Sequence, residues 1–173
     1  EALRKAQEEE KKNNASTGGN GSSFDGTFAW PLDYSPRRVT SRMKFRGSRW
    51  HKGIDIGTNA ETGKRVVAAA SGTVVYSAYQ SGTSASPGYG NYLIIYHGNG
   101  YCSLYAHMAS KSVSTGQKVS QGQLIGYSGN TGGVAPHLHF EIRKATSVGD
   151  FFGNNWLDPL DYLPGGYVLA PGA

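Results

Sequence analysis

Two histidines separated by one residue are the feature of this sequence best placed to do chemistry. His137 and His139 lie in residues 135–143, APHLHFEIR, whose polar and apolar residues alternate as in a β-strand. Because strand side chains alternate between faces, both imidazoles point to one side, roughly 6–7 Å apart. One could therefore bind a metal while the other reaches the open position of that metal. A half-exposed strand that carries two surface histidines fits the same pattern.

Two further clusters carry residues of the same chemical type. His51 and Asp55 are four residues apart in HKGID, and on an extended segment this even spacing puts them on one face. An ordinary surface pair of histidine and carboxylate fits that spacing as well. His107 ends the run YAH, on a predicted strand that begins after the turn signal Gly-Asn-Gly at residues 98–100.

His97 lies just before that turn and is expected to be structural. A two-residue turn would point it to the face opposite His107, and a three-residue turn would place it on the order of 20 Å away.

Together the three clusters supply four histidines and one aspartate. A catalytic zinc ion takes three protein ligands and keeps one position open for water, so two histidines and the aspartate would complete a ligand set. The two remaining histidines could then take a proton from the activated water and stabilise an oxyanion. This count predicts a hydrolase but does not decide which three residues bind the metal. The single cysteine, Cys102, excludes a cysteine-type zinc site and an intramolecular disulfide.

Length and charge narrow the class of protein further. The 173 residues are enough for one domain with a tail, and no apolar run reaches the length of a membrane span. The net charge of +5 favours a polyanionic setting, which nucleic acid and an anionic cell wall would both provide. Nucleic acid is disfavoured, since the sequence has no stacking or helix motif for binding it.

The chain divides into a tail and an all-β domain. Residues 1–12 predict a short helix, interpreted as the possible end of a coiled coil, and residues 13–26 predict a flexible linker. The domain is predicted over residues 27–173, as a compact antiparallel β-sheet arrangement in which short runs rich in valine, isoleucine and tyrosine alternate with glycine turns. The predicted strands are residues 65–69, 72–79, 91–97, 101–108, 117–119, 124–128 and 137–143. Apolar residues 28–32 and 156–163 are expected to dock on this sheet, and the long loop 80–90 is expected to lie over one face.

In their order and separations these motifs resemble the lysostaphin-like zinc metalloendopeptidases, also called LytM domains. The likeness covers roughly residues 28–163 and includes HKGIDIG, GYGNYLIIYHGNGY, LYAHM and PHLHFEIR. The resemblance implies the fold called the duplicated hybrid motif, with the site in a groove. It also implies one Zn²⁺ per chain, an endopeptidase activity on bacterial peptidoglycan, and an extracellular, cell-wall or periplasmic location.

The resemblance also assigns roles to individual residues. It implies that His51, Asp55 and His139 are the zinc ligands and that His107 and His137 form the catalytic pair. The candidate substrate-binding residues are Arg46, Tyr105 and Asn91, of which Tyr105 and Asn91 lie within the matching motifs. Activity is expected to fall as the pH drops through about 6, where an unperturbed imidazole becomes protonated.

Two positions depart from the pattern of the family. Lys44 stands where many relatives have the glycine of a Gly-x-Arg element, although Arg46 is still available to the site or the substrate. Phe45 stands six residues before the first ligand, where some glycine-cleaving relatives carry a tyrosine. The missing hydroxyl favours a stem- or cross-link-peptide endopeptidase over an enzyme that cuts pentaglycine.

An alternative function is a non-catalytic module of the same fold. Degenerate relatives lack one or more of the five site positions and bind peptidoglycan or activate a partner amidase. A coiled-coil partner, or a divisome or cell-surface protein, could be engaged through residues 1–12. The presence of all five positions favours the active enzyme.

Overall fold

The computed structural model describes residues 1–16, 24–145 and 152–173. Within these ranges the chain forms one α-helix, a short 3₁₀ helix at Pro159–Asp161 and fourteen strands. The helix α1 spans Ala2–Ser16, and the strands are β1 Leu32–Asp33, β2 Arg38–Ser41, β3 Lys44–Phe45, β4 Trp50–His51, β5 Ile54–Gly57, β6 Arg65–Val67, β7 Gly72–Gln80, β8 Gly90–Gly98, β9 Tyr101–Lys111, β10 Lys118–Val119, β11 Leu124–Ser128, β12 His137–Lys144, β13 Trp156–Leu157 and β14 Val168–Leu169.

One large sheet contains all of these strands except β3 and β4, which pair with each other as a separate hairpin. Its pairs are antiparallel apart from β14, which lies parallel to β2. The long strands β7, β8 and β9 are joined in sequence, and β12 lies between β9 and β5. Each of the seven predicted strands is present, with ends that differ by up to three residues. The strands that were not predicted are two to four residues long, too short to show a clear alternation.

Both faces of the sheet are covered, because successive residues on its long strands enter different cores. On β8, Leu93 and Ile95 belong to the larger apolar core, while Ile94 and Tyr96 belong to a second, smaller one. Apolar residues on either side of the strands complete the larger core, as expected from the sequence: Phe28, Trp30, Leu32 and Leu163. On β12, Leu138, Phe140 and Ile142 are fully buried in the larger core and anchor the strand, so that its polar residues are presented on the opposite face.

The N-terminal helix packs against the smaller core. Leu3 and Ala6, on the helix interpreted as a possible coiled-coil end, are buried against β7 and β8. Glu10 accepts hydrogen bonds from the Tyr96 hydroxyl and from the Asn99 backbone amide. The helix also runs to Ser16, beyond the predicted end at residue 12 and into the predicted linker. Linker residues 17–23 lie outside the described ranges, and the domain boundary at residue 27 stays a prediction.

The helix of this fold is too short and too polar to cross a bilayer, and among the described residues there is no longer apolar helix.

Candidate metal centre

Strand β12 brings the separate sequence clusters together by pairing with one strand from each. His139 lies opposite Asp55 on β5 and opposite Ala106 on β9, which precedes His107. Gly53 allows the chain between His51 and Asp55 to approach, since a Cβ there would lie 2.2 Å from the Phe140 carbonyl oxygen. The hairpin of β3 and β4 supplies His51 from the side, with Lys44 and His51 as paired residues.

Three side chains converge so that their ligand atoms form a compact triangle. Nε2 of His51 lies 3.0 Å from Oδ1 of Asp55 and 3.1 Å from Nδ1 of His139. Nδ1 of His139 lies 3.0 Å from the same Asp55 oxygen. Tetrahedral zinc with ligand distances of about 2.0–2.1 Å separates neighbouring ligand atoms by roughly 3.3 Å, so this triangle has the size of one face of such a site.

The hydrogen-bond partners of the two histidines leave lone pairs aimed at the centre of the triangle. Nδ1–H of His51 donates to the Arg42 carbonyl at 2.8 Å, and Nε2–H of His139 donates to Glu141 at 2.9 Å. The nitrogens that remain, together with a carboxylate oxygen, are three acceptors in mutual contact. Such an arrangement requires a cation between them, which a proton or a metal ion can supply.

The acidities of these groups follow from this contact. Burial alone would raise the pKa of Asp55, but hydrogen bonds from His137, His139 and His51 outweigh it and hold the pKa well below its usual value. Burial would lower the pKa of His139, but its bonds to Asp55 and Glu141 prevail and raise it to about 9. In the absence of metal, the proton on His139 therefore occupies the place of the cation.

Behind the ligands lies a buried polar network that the sequence did not reveal. Glu141 accepts hydrogen bonds from His139, from the Tyr89 hydroxyl and from Nε of Arg143, the last at 2.8 Å. The side chains of Glu141 and Arg143 are almost fully buried. Charged residues at the end of an amphipathic strand are normally predicted to be exposed to solvent. The only signal in the sequence was their even spacing from His139, which places them on the same face of the strand.

The two remaining histidines lie beside the triangle and touch each other. The ring centroids of His107 and His137 are 4.7 Å apart, and Nε2 of His137 lies 3.3 Å from Oδ1 of Asp55. Nδ1–H of His107 donates to the Thr131 carbonyl at 2.8 Å, and Nδ1–H of His137 donates to the Ala135 carbonyl at 2.8 Å. Each bond fixes the orientation of its ring and engages Nδ1, so Nε2 is the nitrogen available for proton transfer.

A β-bulge aims the His107 side chain at this site. Asn91 pairs with Met108 and Leu93 pairs with Tyr105, so two residues of β9 stand opposite one residue of β8. His107 itself has a φ of 62°, a left-handed conformation that is uncommon for a residue with a side chain. Burial lowers the pKa of His107 to about 4, and the neighbouring His137 and His139 act in the same direction.

The five residues line a cleft of about 420 Å³. One wall is the β3–β4 hairpin with Arg46, Arg49 and Trp50, followed by Lys52. The other is formed by Gln80 at the end of β7 and by Pro87–Tyr89 of the loop before β8. Residues of the predicted loop 80–90 thus lie at the site, whereas the sequence predicted only that this loop would lie over one face.

The remaining candidates from the sequence fall in three different places. Arg46 lines the cleft, and its Nη2 lies 3.3 Å from Oδ2 of Asp55. Asn91 instead donates from its side chain to the Met108 carbonyl and supports the bulge. His97 is buried with its ring nitrogens bonded to Ser71 and Ser103, which agrees with a structural role.

The interpretation of Tyr105 as a substrate-binding residue was wrong. Its side chain is 0 % exposed in the larger core, where its hydroxyl accepts a hydrogen bond from the Ala69 amide and is bonded to Ser103. The residue points away from His107 because the bulge after Ala106 breaks the alternation along β9.

Residues 49–155 match the family model of peptidase family M23. Among curated relatives, the lipoprotein NlpD/LppB homologue of Pseudomonas aeruginosa is 39 % identical over 139 residues, which are 80 % of this chain and 40 % of the relative. The murein hydrolase activator NlpD of Escherichia coli K12 is 42 % identical over 115 residues, which are 66 % of this chain and 26 % of that protein. The chain therefore spans less than half the length of these relatives.

Solved structures of the same fold include two peptidases. A zinc-containing peptidase from Vibrio cholerae superposes with a TM-score of 0.58 at 32 % identity, covering 67 % of this chain and 36 % of that one. The catalytic domain of lysostaphin from Staphylococcus simulans superposes with a TM-score of 0.56 at 26 % identity, covering 72 % of this chain and 87 % of that one. These likenesses confirm the predicted lysostaphin-like all-β fold.

Proposed function

Because this chain belongs to peptidase family M23, we propose that it is a zinc-dependent endopeptidase that hydrolyses peptide bonds in the stem or cross-link peptides of bacterial peptidoglycan. The observation that carries this proposal is the triangle of His51, Asp55 and His139. Its three acceptor atoms converge on one point, where either a titratable proton or a metal ion must lie between them. Two further histidines beside it give the site its acid–base groups.

The chain's own residues supply separate functions. His51, Asp55 and His139 would hold one Zn²⁺, and zinc bound there would polarise the scissile carbonyl and acidify a water molecule. Nε2 of His107 is the proton acceptor of the site, because its Nδ1–H is engaged by the Thr131 carbonyl. His137, fixed through the Ala135 carbonyl, stabilises the charge that develops on the carbonyl oxygen.

The alternative is a non-catalytic module that binds peptidoglycan or activates a partner hydrolase. It is favoured by one specific observation, the similarity to a protein named murein hydrolase activator. Against it stands the complete set of five residues. In each, the nitrogen or oxygen that faces away from the site is hydrogen-bonded, which orients the other atom for ligation or proton transfer. A module that only binds a partner has no need for Glu141 to fix the tautomer of His139.

Location and partners follow from the substrate. We propose that the protein acts outside the cytoplasm, in the cell wall or periplasm, with peptidoglycan as its polyanionic partner and no nucleic-acid partner. A protein partner that used α1 as a coiled coil would have to displace Leu3 and Ala6 from the sheet, so we propose that any divisome or cell-surface partner binds the exposed side of the helix.

The test is mass spectrometry of the muropeptides released from several purified cell-wall types, with zinc and with a chelator. The proposal expects about one zinc per chain by elemental analysis and zinc-dependent release of peptides with new termini. Absence of zinc after zinc dialysis would refute the metal centre. Zinc binding without release from any wall type would favour the alternative.

A further inference from the structure

The two walls of the cleft differ in charge. Arg46, Arg49 and Lys52 all line the hairpin wall, within six residues of one another around His51. Among the described lining residues of the opposite wall, Gln80 and Pro87–Tyr89, none carries a charged side chain. A ligand in the cleft therefore meets positive charge on one side only.

Of the three cations on this wall, only Arg46 pairs with a carboxylate among the described residues of the cleft. Asp55 is bonded to the histidines of the metal centre, and Glu141 is buried and bonded to Arg143. Arg46 leans towards Asp55, with a second hydrogen bond of 2.6 Å to the Ser41 hydroxyl. Arg49 and Lys52 are the cations that this arrangement leaves facing the ligand space.

These two cations are next to the metal centre along the chain and line the same cleft. Arg49 is two residues before the ligand His51, and Lys52 directly follows it. The ammonium of Lys52 lies 5.2 Å from the ring centre of Trp156, which positions it by a cation–π contact. Lys44 anchors the base of the hairpin through a 2.8 Å hydrogen bond to the Gly172 carbonyl.

Between the two cations in the sequence is an exposed aromatic residue. Trp50 lines the cleft with 49 % of its surface exposed, and its ring packs 5.9 Å from that of Phe45, which is 56 % exposed. Tryptophan and arginine are both enriched at binding surfaces, and a tryptophan ring can cover an apolar group of a ligand.

We propose that Arg49 and Lys52 bind a free carboxylate of the peptide that occupies the cleft, with Trp50 covering the apolar part of the adjoining residue. The inference rests on the proposed function for the identity of the occupant as a peptide. It names the substrate class as peptides with a carboxylate beside the scissile bond, in preference to uncharged oligoglycine bridges.

The experiment measures binding rather than turnover. The zinc-loaded full chain with His107→Ala is titrated with two stem peptides. They are identical except for one group, which is a free carboxylate in the first peptide and a carboxamide in the second. The acidic peptide is expected to bind about fivefold more tightly at low salt, the range of an exposed charge pair, with a smaller preference at high salt.

Matched variants locate the effect. Arg49→Gln together with Lys52→Gln should abolish the preference while leaving the affinity for the carboxamide peptide unchanged. Arg65→Gln removes an exposed cation that pairs with Asp33 away from the cleft, and it should leave the preference intact. Equal binding of the two peptides, no binding of either, or an undiminished preference in the double variant would each overturn the inference.

The two proposals fail in different ways. Selective binding of the acidic peptide by a wild-type protein that cleaves neither peptide would refute the endopeptidase and leave the carboxylate site standing. Cleavage of both peptides by a protein that binds them with equal affinity would refute the carboxylate site and leave the endopeptidase standing.

Discussion

Nε2 of His139 lies 2.9 Å from Oε1 of Glu141, two residues further along the same strand and on the same face. The bond fixes the histidine tautomer, so that Nδ1 is the nitrogen presented to Asp55 and His51. Arg143 and Tyr89 in turn donate hydrogen bonds to the Glu141 carboxylate and fix its position behind His139.

Replacing Glu141 with glutamine should therefore weaken zinc binding while the ligands stay in place. We expect the dissociation constant for zinc, measured by competition with a chromogenic chelator, to rise roughly 10–100-fold. Glu61→Gln, which changes an exposed carboxylate paired with Lys64, serves as the matched control and should bind zinc like the wild type.

Glu141→Gln also removes a carboxylate that pairs with the buried Arg143, so folding must be tested separately. Tyr89→Phe removes the hydroxyl that donates to Glu141 and accepts from Arg143 but changes no charge, and it should weaken zinc binding by a smaller factor, with a smaller loss of thermal stability. Wild-type zinc affinity in both well-folded variants would show that the network does not support the metal centre.

Zinc binding should release a proton. Burial opposes protonation of His139, but its carboxylate partners raise the pKa to about 9, so the metal-free protein carries a proton at neutral pH where zinc must bind. Affinity should therefore fall about tenfold for each unit that the pH drops below 9. Calorimetry at pH 7 in buffers of different ionisation heat should report release of about one proton. A binding heat that is the same in every buffer would contradict this.

The acid limit of hydrolysis should lie below the value expected from a free imidazole. Because burial lowers the pKa of His107 to about 4, this base stays neutral at pH 5, whereas the sequence alone suggested a loss near pH 6. With zinc kept saturating, kcat/KM should persist at pH 5 and fall as the pH approaches 4. A midpoint at pH 6 under those conditions would indicate that the base is a solvated histidine.

The helix α1 should be held to the sheet mainly by its buried leucine. Leu3 is 1 % exposed, and Leu3→Ala should cost about 2 kcal/mol of docking free energy. Hydrogen exchange of the α1 amides should then be roughly 30-fold faster. Lys5→Ala, on the exposed side of α1, should leave the exchange rates nearly unchanged. Slow exchange in Leu3→Ala would place the anchor elsewhere, for example at Glu10.

The strand that carries the site could be predicted because its pattern is local. The alternation of His137, Leu138, His139 and Phe140 fixes which side chains share a face, and the structure confirms that arrangement. The prediction that three clusters meet rested on residue types, which the pairing of β12 with β5 and β9 satisfies.

What the sequence could not predict depends on contacts between distant segments. The bulge at Ala106 and His107 sends Tyr105 into the core, and no local pattern marks it. The burial of Glu141 results from coverage by Tyr89 of the loop before β8, which strand periodicity does not describe. The full length of α1 depends on packing against β7 and β8 in addition to helix propensity.

The account is tested most directly by the peptides that zinc-loaded wild type and His107→Ala release from the same purified peptidoglycan. His107 is not one of the three residues of the triangle, so the variant should retain about one zinc per chain. The wild type should release peptides with new amino termini, and His107→Ala should lose this release by at least about 100-fold, the contribution of a general base. Equal release by the two proteins, or none by a wild type that holds its zinc, would contradict the proposed mechanism.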